Sequence, residues 1–296
     1  MSQLPPAKAK GASRNIMMNN QLDPPTVHMG ATLLGDALMT LPAIEALSLH
    51  HGCRIPVTLE EVARPLFQDN PHIKLLPPGT SPTEPFIAVS PGPAFEWGFA
   101  HHAHMCAGFF PVLGLPPDLA AKPRLYLKTL DRIAPICNSI CPGVTTKNDI
   151  YEPGKYITIA PFSRSCSVHT INIANKTRPV SWWVDSILKI QKELGPDISI
   201  FTLGSATDPE IPGAINWRGV PITNVCRLMK HAAVNIVGDT GLMHVAGALD
   251  APTLWLRCAS PESLVGPRTR GTYRMLSAVG PTWPVKSIID ALPSFF

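Results

Sequence analysis

Apolar positions along the chain recur at two periods, and the two periods alternate. Val27 to Leu34 reads as a short strand and loop, after which Gly35-Asp36 opens a run with apolar residues at Ala37, Leu38, Leu41, Ile44 and Leu47. That spacing is helical. Strands are expected at Ile55 to Leu59, Ile73 to Leu76 and Phe86 to Val89, separated by turn residues or helical pattern. A second series begins with a strand at Tyr156 to Ala160, then a helix at Ser181 to Leu194 and a strand at Ile198 to Leu203. It continues with a helix at Val225 to His231, a buried strand at Val234 to Val237, a helix at Leu242 to Leu249 and a strand at Thr253 to Leu256. Trp283 to Leu292 reads as a closing helix. Such alternation implies parallel strands covered on both faces, because parallel neighbours need crossover connections.

Between the two series, residues 142 to 155 are rich in proline, glycine and polar residues and carry no apolar period, which marks a linker. Two α/β domains are therefore expected, the first over 26–145 and the second over 156–280, with 281–296 as a terminal helix. A length of 296 residues suits two modest cores. Residues 1–25 hold Lys8, Lys10, Arg14 and several prolines without a continuous apolar stretch, so a disordered leader is expected there and not a signal peptide.

Composition narrows the class. Apolar residues make up 45% and charged residues 16%, which describes a folded protein with a rather apolar surface. The formal charge of +4 comes from scattered lysines and arginines, which does not argue for nucleic acid and fits an enzyme that handles anionic phosphates. Seven cysteines form no CxxC pair and cannot all pair within one chain, so reduced thiols in a cytoplasmic setting are expected. Cys137 and Cys141 could share a helical turn, but no second ligand pair accompanies them. No stretch reaches the length of about 18 apolar residues that a spanning helix needs. A soluble chain, at most peripheral at the inner face of the cytoplasmic membrane, follows.

The most informative stretch runs from Val237 to Thr253, VGDTGLMHVAGALDAPT. A strand leads into Asp239-Thr240-Gly241, whose backbone N–H groups stand at the start of a helix and can meet phosphate oxygens. His244 lies three and four residues after Gly241 and Thr240, on the same face. Residue by residue, a plainer reading is that Asp239 caps the helix and His244 is packed. As a whole, the stretch resembles the signature of glycosyltransferase family nine, the ADP-heptose heptosyltransferases, roughly D-[ST]-G-x-x-H-x-A-x-A-x-x-x-P-T. The resemblance implies that Asp239, Thr240, Gly241 and His244 bind the nucleotide diphosphate of a sugar donor.

Leu34 to Ala43, LGDALMTLPA, is similar to the family's amino-terminal G-D-x-[LV]-x-T-x-P-A. The resemblance implies that Asp36 is the catalytic base, and a carboxylate suits the removal of an acceptor hydroxyl's proton. A helix N-cap is the plainer role for the same residue. Asn175 to Trp183 resembles the family's K-x-W-P followed by an aromatic helix, with Arg178 in place of the tryptophan. Lys176 and Arg178 thus compete for a place on the donor phosphate, or are solvated surface charges. Ser163, in Ala160 to Arg164, stands where the family has a phosphate-side loop. Glu210 follows Leu203-Gly204, where the family carries an acidic residue on the donor ribose, with Asp208 an equally placed rival. Ala259 to Glu262 followed by Gly266-Pro267 is similar to the family's G-P-T-x-P…G-P loop.

The resemblance spans about residues 26 to 275 and is thin from 53 to 150. It implies an α/β protein of GT-B fold, two Rossmann-like domains with parallel sheets facing across a cleft. The expected activity is an inverting, metal-independent transfer of a sugar, heptose from ADP-heptose by resemblance, to a saccharide acceptor such as the lipopolysaccharide inner core. Neither a cofactor nor a metal is expected, and nucleic acid is not an expected partner. No Asp-x-Asp pair occurs. His101, His102 and His104 have no carboxylate or cysteine at a metal-ligand spacing, and exposed histidines are the commoner reading. No GxGxxG after a first strand, P-loop or GxSxG is present. Rival readings are a transferase for another nucleotide sugar or acceptor, a nucleotide-sugar epimerase, and a silent nucleotide-sugar-binding protein.

Overall fold

The structure is a computed structural model that describes residues 23–29, 33–82, 84–128, 130, 152–163, 178–258, 260–277 and 284–296. Most of the expected leader, most of the expected linker, Lys176, Cys137, Cys141 and Cys166 lie outside the described residues.

The first lobe contains β1 (Thr26–Met29), α1 (Leu34–His51), β2 (Ile55–Leu59), α2 (Arg64–Phe67), β3 (Ile73–Leu75), β4 (Phe86–Ala88), α3 (Pro91–Ala100) and α4 (Met105–Val112). Its four strands are parallel in the order β3-β2-β1-β4. The second lobe contains β5 (Tyr156–Ala160), α5 (Val180–Leu194), β6 (Ser199–Gly204), β7 (Ile215–Arg218), α6 (Ile222–His231), β8 (Val234–Val237), α7 (Gly241–Ala248), β9 (Thr253–Arg257), α8 (Glu262–Val265), β10 (Tyr273–Ser277) and α9 (Val285–Ala291). A 3-10 turn at Leu292–Ser294 follows. Its six strands are also parallel, in the order β10-β9-β8-β5-β6-β7.

The central strands β5 and β8 are buried at every position, as parallel strands between two helical layers must be. Asn235 in β8 shows how polarity is accommodated there. Its carbonyl accepts from the Thr158 hydroxyl at 2.6 Å, and its amide donates to the carbonyls of Met229 and Pro252 at 3.0 and 2.9 Å. Every polar atom of that side chain is thereby satisfied, and the network ties β8 to β5, to α6 and to the loop before β9.

Both sheets reverse direction of strand order beside their first strand. In the second lobe the reversal lies between β5 and β8, so the loops that follow these two strands flank a crevice at their carboxyl ends, where α/β sheets bind ligands. In the first lobe it lies between β1 and β4, and α1 starts from that same end.

Helix α1 explains how the lobes meet. Its first three turns bury Gly35, Ala37, Leu38, Met39, Thr40, Leu41, Pro42, Ala43 and Ile44, almost all round. A helix apolar on all sides must be enclosed on all sides. Besides its own sheet, α1 packs on α4 and, across the lobes, on α7. Truncating the fully buried Leu38 to alanine would cost about 2–5 kcal/mol. By contrast α5 and α6 bury one face each, Trp183, Ile187 and Ile190 in the former and Val225, Leu228 and Met229 in the latter.

Further contacts cross between lobes. Gly98 in α3 has no Cβ where one would lie 2.7 Å from Leu264 Cδ1, so α3 and α8 approach closely. Lys122 pairs with Asp250, and Arg268 donates to the Leu119 carbonyl at 3.2 Å. No helix among the described residues is long and apolar enough to cross a membrane.

Candidate active site at the lobe junction

Two helix starts abut at the junction. An ideal Cβ on Gly35, in the first turn of α1, would fall 2.7 Å from His244 Cδ2 and 3.5 Å from Gly241 Cα. The reciprocal Cβ on Gly241, at the start of α7, would fall 3.1 Å from Leu34 Cβ and 3.3 Å from Gly35 N. Only residues lacking a side chain permit this approach. The consequence is electrostatic as well as steric, because each helix start carries about half a positive charge and N–H groups without intrahelical acceptors. Two such ends held together form a basin for an anion.

Thr240 is the N-cap residue of α7, in extended backbone with φ −129° and ψ 163°, and its side chain makes no capping bond. Its Oγ1 is buried and has no hydrogen-bond partner among the described residues. A hydroxyl in that condition costs free energy until an acceptor or donor arrives.

Asp239 is 6% exposed and its carboxylate turns inward. Oδ1 accepts from Trp255 Nε1 of β9 at 2.7 Å, and Oδ2 lies 3.4 Å from Ser260 N. The side chain thus fixes the loop that starts α7 and does not cap it. Ser163, in the loop after β5, donates its hydroxyl to the Asp239 carbonyl at 2.9 Å. That bond closes the two sides of the crevice onto each other.

His244 is buried, and its pKa is pushed down to about 4, first by desolvation, with Asp239 acting in the opposite direction. At neutral pH it is an uncharged ring that can donate or accept one hydrogen bond, not a cation.

Asp36 lies in the first turn of α1, half-buried, one residue after the Gly35 contact. The N-cap of α1 is Leu33 and no side chain caps it, so the N-cap reading of Asp36 does not hold. The Thr40 hydroxyl donates to the Asp36 carbonyl at 2.9 Å and steadies this turn.

The remaining candidates are placed as follows. Arg178 is buried, with its pKa lowered mainly by desolvation, so it is not a solvated surface charge. Lys176 lies outside the described residues. In the loop after β6, the Asp208 carboxylate accepts from Ser205 N at 2.7 Å, which commits it to the turn. Glu210 is exposed and pairs with Arg218 at 3.6 Å. Between these two, Glu210 has the carboxylate that remains turned to solvent.

Among the three histidines of 101–104, one departs from the expectation of exposure. His104 is not an exposed histidine but is 4% exposed, and it bridges the lobes. Its Nδ1 accepts from Cys106 N at 3.1 Å as the cap of α4, so the neutral ring carries its proton on Nε2, which donates to the Gly266 carbonyl at 2.9 Å. Burial and the nearby Arg268 guanidinium push its pKa down to about 3. Pro91, Gly92, Pro93, Gly98, Gly108 and Pro111 obscured the helical pattern of α3 and α4, and the histidine bridge was hidden with it. Among the described residues no group of three or more histidines, cysteines or acids is arranged to hold a metal ion.

Residues 220–281 match the model of glycosyltransferase family 9 (heptosyltransferase). That segment includes α6, β8, the loop into α7, α7 itself, β9, α8 and β10. No curated protein matches the chain. Among solved structures, Escherichia coli ADP-heptose lipopolysaccharide heptosyltransferase II superposes with a TM-score of 0.63 at 14% identity, over 92% of this chain and 98% of that one. A family 9 glycosyltransferase from Veillonella parvula gives 0.63 at 12% identity, over 94% and 99%. Escherichia coli heptosyltransferase WaaC with ADP gives 0.61 at 13% identity, over 92% and 100%. At these identities the structures speak for the fold, and the family match speaks for residues 220–281 of the second lobe. Together they show that the chain has the GT-B fold of these glycosyltransferases and that residues 220–281 are similar to family 9 (heptosyltransferase).

Proposed function

We propose that the chain moves a heptose from ADP-heptose to a hydroxyl of a saccharide acceptor of the lipopolysaccharide inner-core type, with inversion at the anomeric carbon. The observation that carries this reading is the meeting of Gly35 with Gly241 and His244. It brings Asp36 of one lobe beside the α7 helix start of the other. A diphosphate beside that contact receives N–H groups from α7 and lies in the positive field of both helix ends. The Thr240 hydroxyl supplies a further donor, and Lys176 and Arg178 are the basic side chains assigned to the leaving phosphate. Glu210 is assigned to the donor ribose, and Ser163 to the phosphate-side loop.

Asp36 takes the acceptor proton as the oxygen attacks the anomeric carbon, and the bond to the diphosphate breaks on the opposite face. In this reading helix N–H groups and basic side chains meet the developing charge, with no divalent cation required. Closure of the lobes excludes water that would hydrolyse the donor. WaaC has been solved with ADP, which supports an adenine nucleotide as the leaving group. The reaction belongs on the cytoplasmic side, at the inner face of the membrane where a lipid-linked acceptor is presented.

The test mixes protein, ADP-heptose and a crude saccharide acceptor extract and follows release of ADP. Release that needs both donor and extract is expected. Turnover of donor without extract would favour an epimerase, and donor binding without turnover in any extract would favour a silent binding protein.

A further inference from the structure

The loop that carries Glu210 is fastened by a single side chain. β6 ends at Gly204, whose register partner in the neighbouring parallel strand is Arg218, the last residue of β7. Both strands therefore finish at the carboxyl edge of the second sheet, the edge from which α7 also starts. Residues 205–214 connect the two strands, and they lie close against the residue that follows Arg218. Gly219 has φ 72°, a Cβ there would fall 2.8 Å from Ala206 Cβ, and its N–H donates to the Gly204 carbonyl at 2.9 Å.

Arg218 commits its guanidinium to this loop. Nη1 donates to the Asp208 carbonyl, Nη2 lies 3.6 Å from a Glu210 carboxylate oxygen, and Nε donates to the Asn216 side-chain oxygen at 2.8 Å. The same Asn216 oxygen accepts from Arg218 N at 3.0 Å, which sets the direction in which the arginine leaves β7. The planar fork thus reaches two points of the loop at once, the backbone two residues before Glu210 and the Glu210 carboxylate itself, which the single nitrogen of a lysine cannot match. Asp208 ties the loop internally, its carboxylate accepting from Ser205 N at 2.7 Å. The Arg218 side chain is 11% exposed and that of Glu210 is 70% exposed. An ion pair so open on one side adds little to stability. Its effect is on direction and charge, because a carboxylate that accepts from sugar hydroxyls beside a diphosphate repels the phosphates, and a guanidinium at its back offsets that repulsion.

We infer that Arg218 is a positioning residue for nucleoside recognition, holding the 205–212 loop and aiming the Glu210 carboxylate at the ribose hydroxyls of the donor. The inference rests on the assignment of Glu210 to the donor ribose and adds to it the residue through which that carboxylate is oriented. Preference for a ribose over a pentose that lacks its hydroxyls then depends on a side chain that does not itself touch the nucleotide.

The test is calorimetry of the full chain with ADP and with 2′,3′-dideoxy-ADP, in the wild type, Arg218→Met, Arg218→Lys, Glu210→Gln and the double variant of Arg218→Met with Glu210→Gln. The wild type is expected to favour ADP by about tenfold, the effect of hydrogen bonds to a carboxylate. Arg218→Met should reduce that preference below about threefold, with Arg218→Lys intermediate. In the Glu210→Gln background the same change should alter the preference by less than about twofold, because Arg218 acts through Glu210. A merely structural arginine lowers both affinities together and leaves their ratio alone, so an unchanged ratio in Arg218→Met, or the same loss with and without Glu210, overturns the inference. Should Arg218→Met not fold, Arg218→Lys decides in its place, since it keeps the charge and loses the fork. A wild type that binds neither nucleotide ends the donor reading and this inference with it, one that binds both equally removes Glu210 from the ribose, and a preference that survives the loss of Arg218 removes Arg218 alone.

Discussion

Gly35 and His244 occupy each other's space so closely that a single methyl group on Gly35 would lie 2.7 Å from the imidazole Cδ2. The Gly35→Ala variant is therefore expected to part the helix starts of α1 and α7, to lower stability by about 1–3 kcal/mol through overpacking, and to weaken ADP binding. Because the cause is one steric contact, adding His244→Ala should recover part of the loss of stability in a double-mutant cycle. Thermal unfolding of the four proteins measures this, and simple additivity would show that the two residues are not coupled.

Thr240 separates binding from folding. Its hydroxyl oxygen is buried without a partner among the described residues, so Thr240→Val removes a burden from the free protein. Stability is expected to hold or rise, while ADP affinity falls by about tenfold, the loss of one hydrogen bond to a charged group. Calorimetry with ADP alongside thermal unfolding checks both halves, and unchanged affinity would place the diphosphate away from α7.

For Asp239, the bond from Trp255 Nε1 predicts that geometry matters more than charge. Asp239→Asn keeps an acceptor for the indole and should retain near-normal ADP affinity. Asp239→Ala leaves the buried indole N–H unsatisfied, at a cost of about 1–3 kcal/mol, and lets the loop before α7 move. Tryptophan fluorescence and ADP titration of the two variants compare them; an asparagine variant as damaged as the alanine one would mean that the negative charge itself is required.

The strands of the first lobe and most elements of the second are legible in the sequence. β2, β5 and β8 occupy the residues expected for them, because short apolar runs bounded by turn residues leave little choice. β7 and β10 escaped notice. Both are edge strands, partly exposed, with too few apolar residues to stand out from a loop, although Gly213 and Gly219 bracket β7. In α3 and α4 the proline and glycine content masked the period. The contiguous motif around Asp239 to His244 was visible as a string, but the inward turn of Asp239 was not, since it depends on Trp255 arriving from another strand. His104 was unreadable for the same reason: its partner, Gly266, is 162 residues away.

Two buried histidines set an acid limit. His244 and His104 have pKa values pushed down to about 4 and about 3, below the ordinary value of 6.5, chiefly by burial. Between those values and 6.5 the unfolded chain binds more protons than the folded one, so the folded state is fully favoured above about pH 6.5 and loses stability as pH falls. Each ring contributes about 1.4 kcal/mol per pH unit within that window. His104→Gln retains a donor for Gly266 without a titrating ring, and its unfolding midpoint should fall less steeply than the wild type's from pH 6.5 to 5. Parallel curves would remove His104 from the account.

The most direct measurement of the central claim is the Asp36→Asn variant, assayed for sugar transfer and, separately, for donor binding by calorimetry. The account predicts donor affinity within about twofold of wild type and a transfer rate reduced by about a hundred- to ten-thousandfold, the usual contribution of a general base. Transfer at near-normal rate would contradict it, since the carboxylate beside the junction of α1 and α7 would then take no part in the reaction.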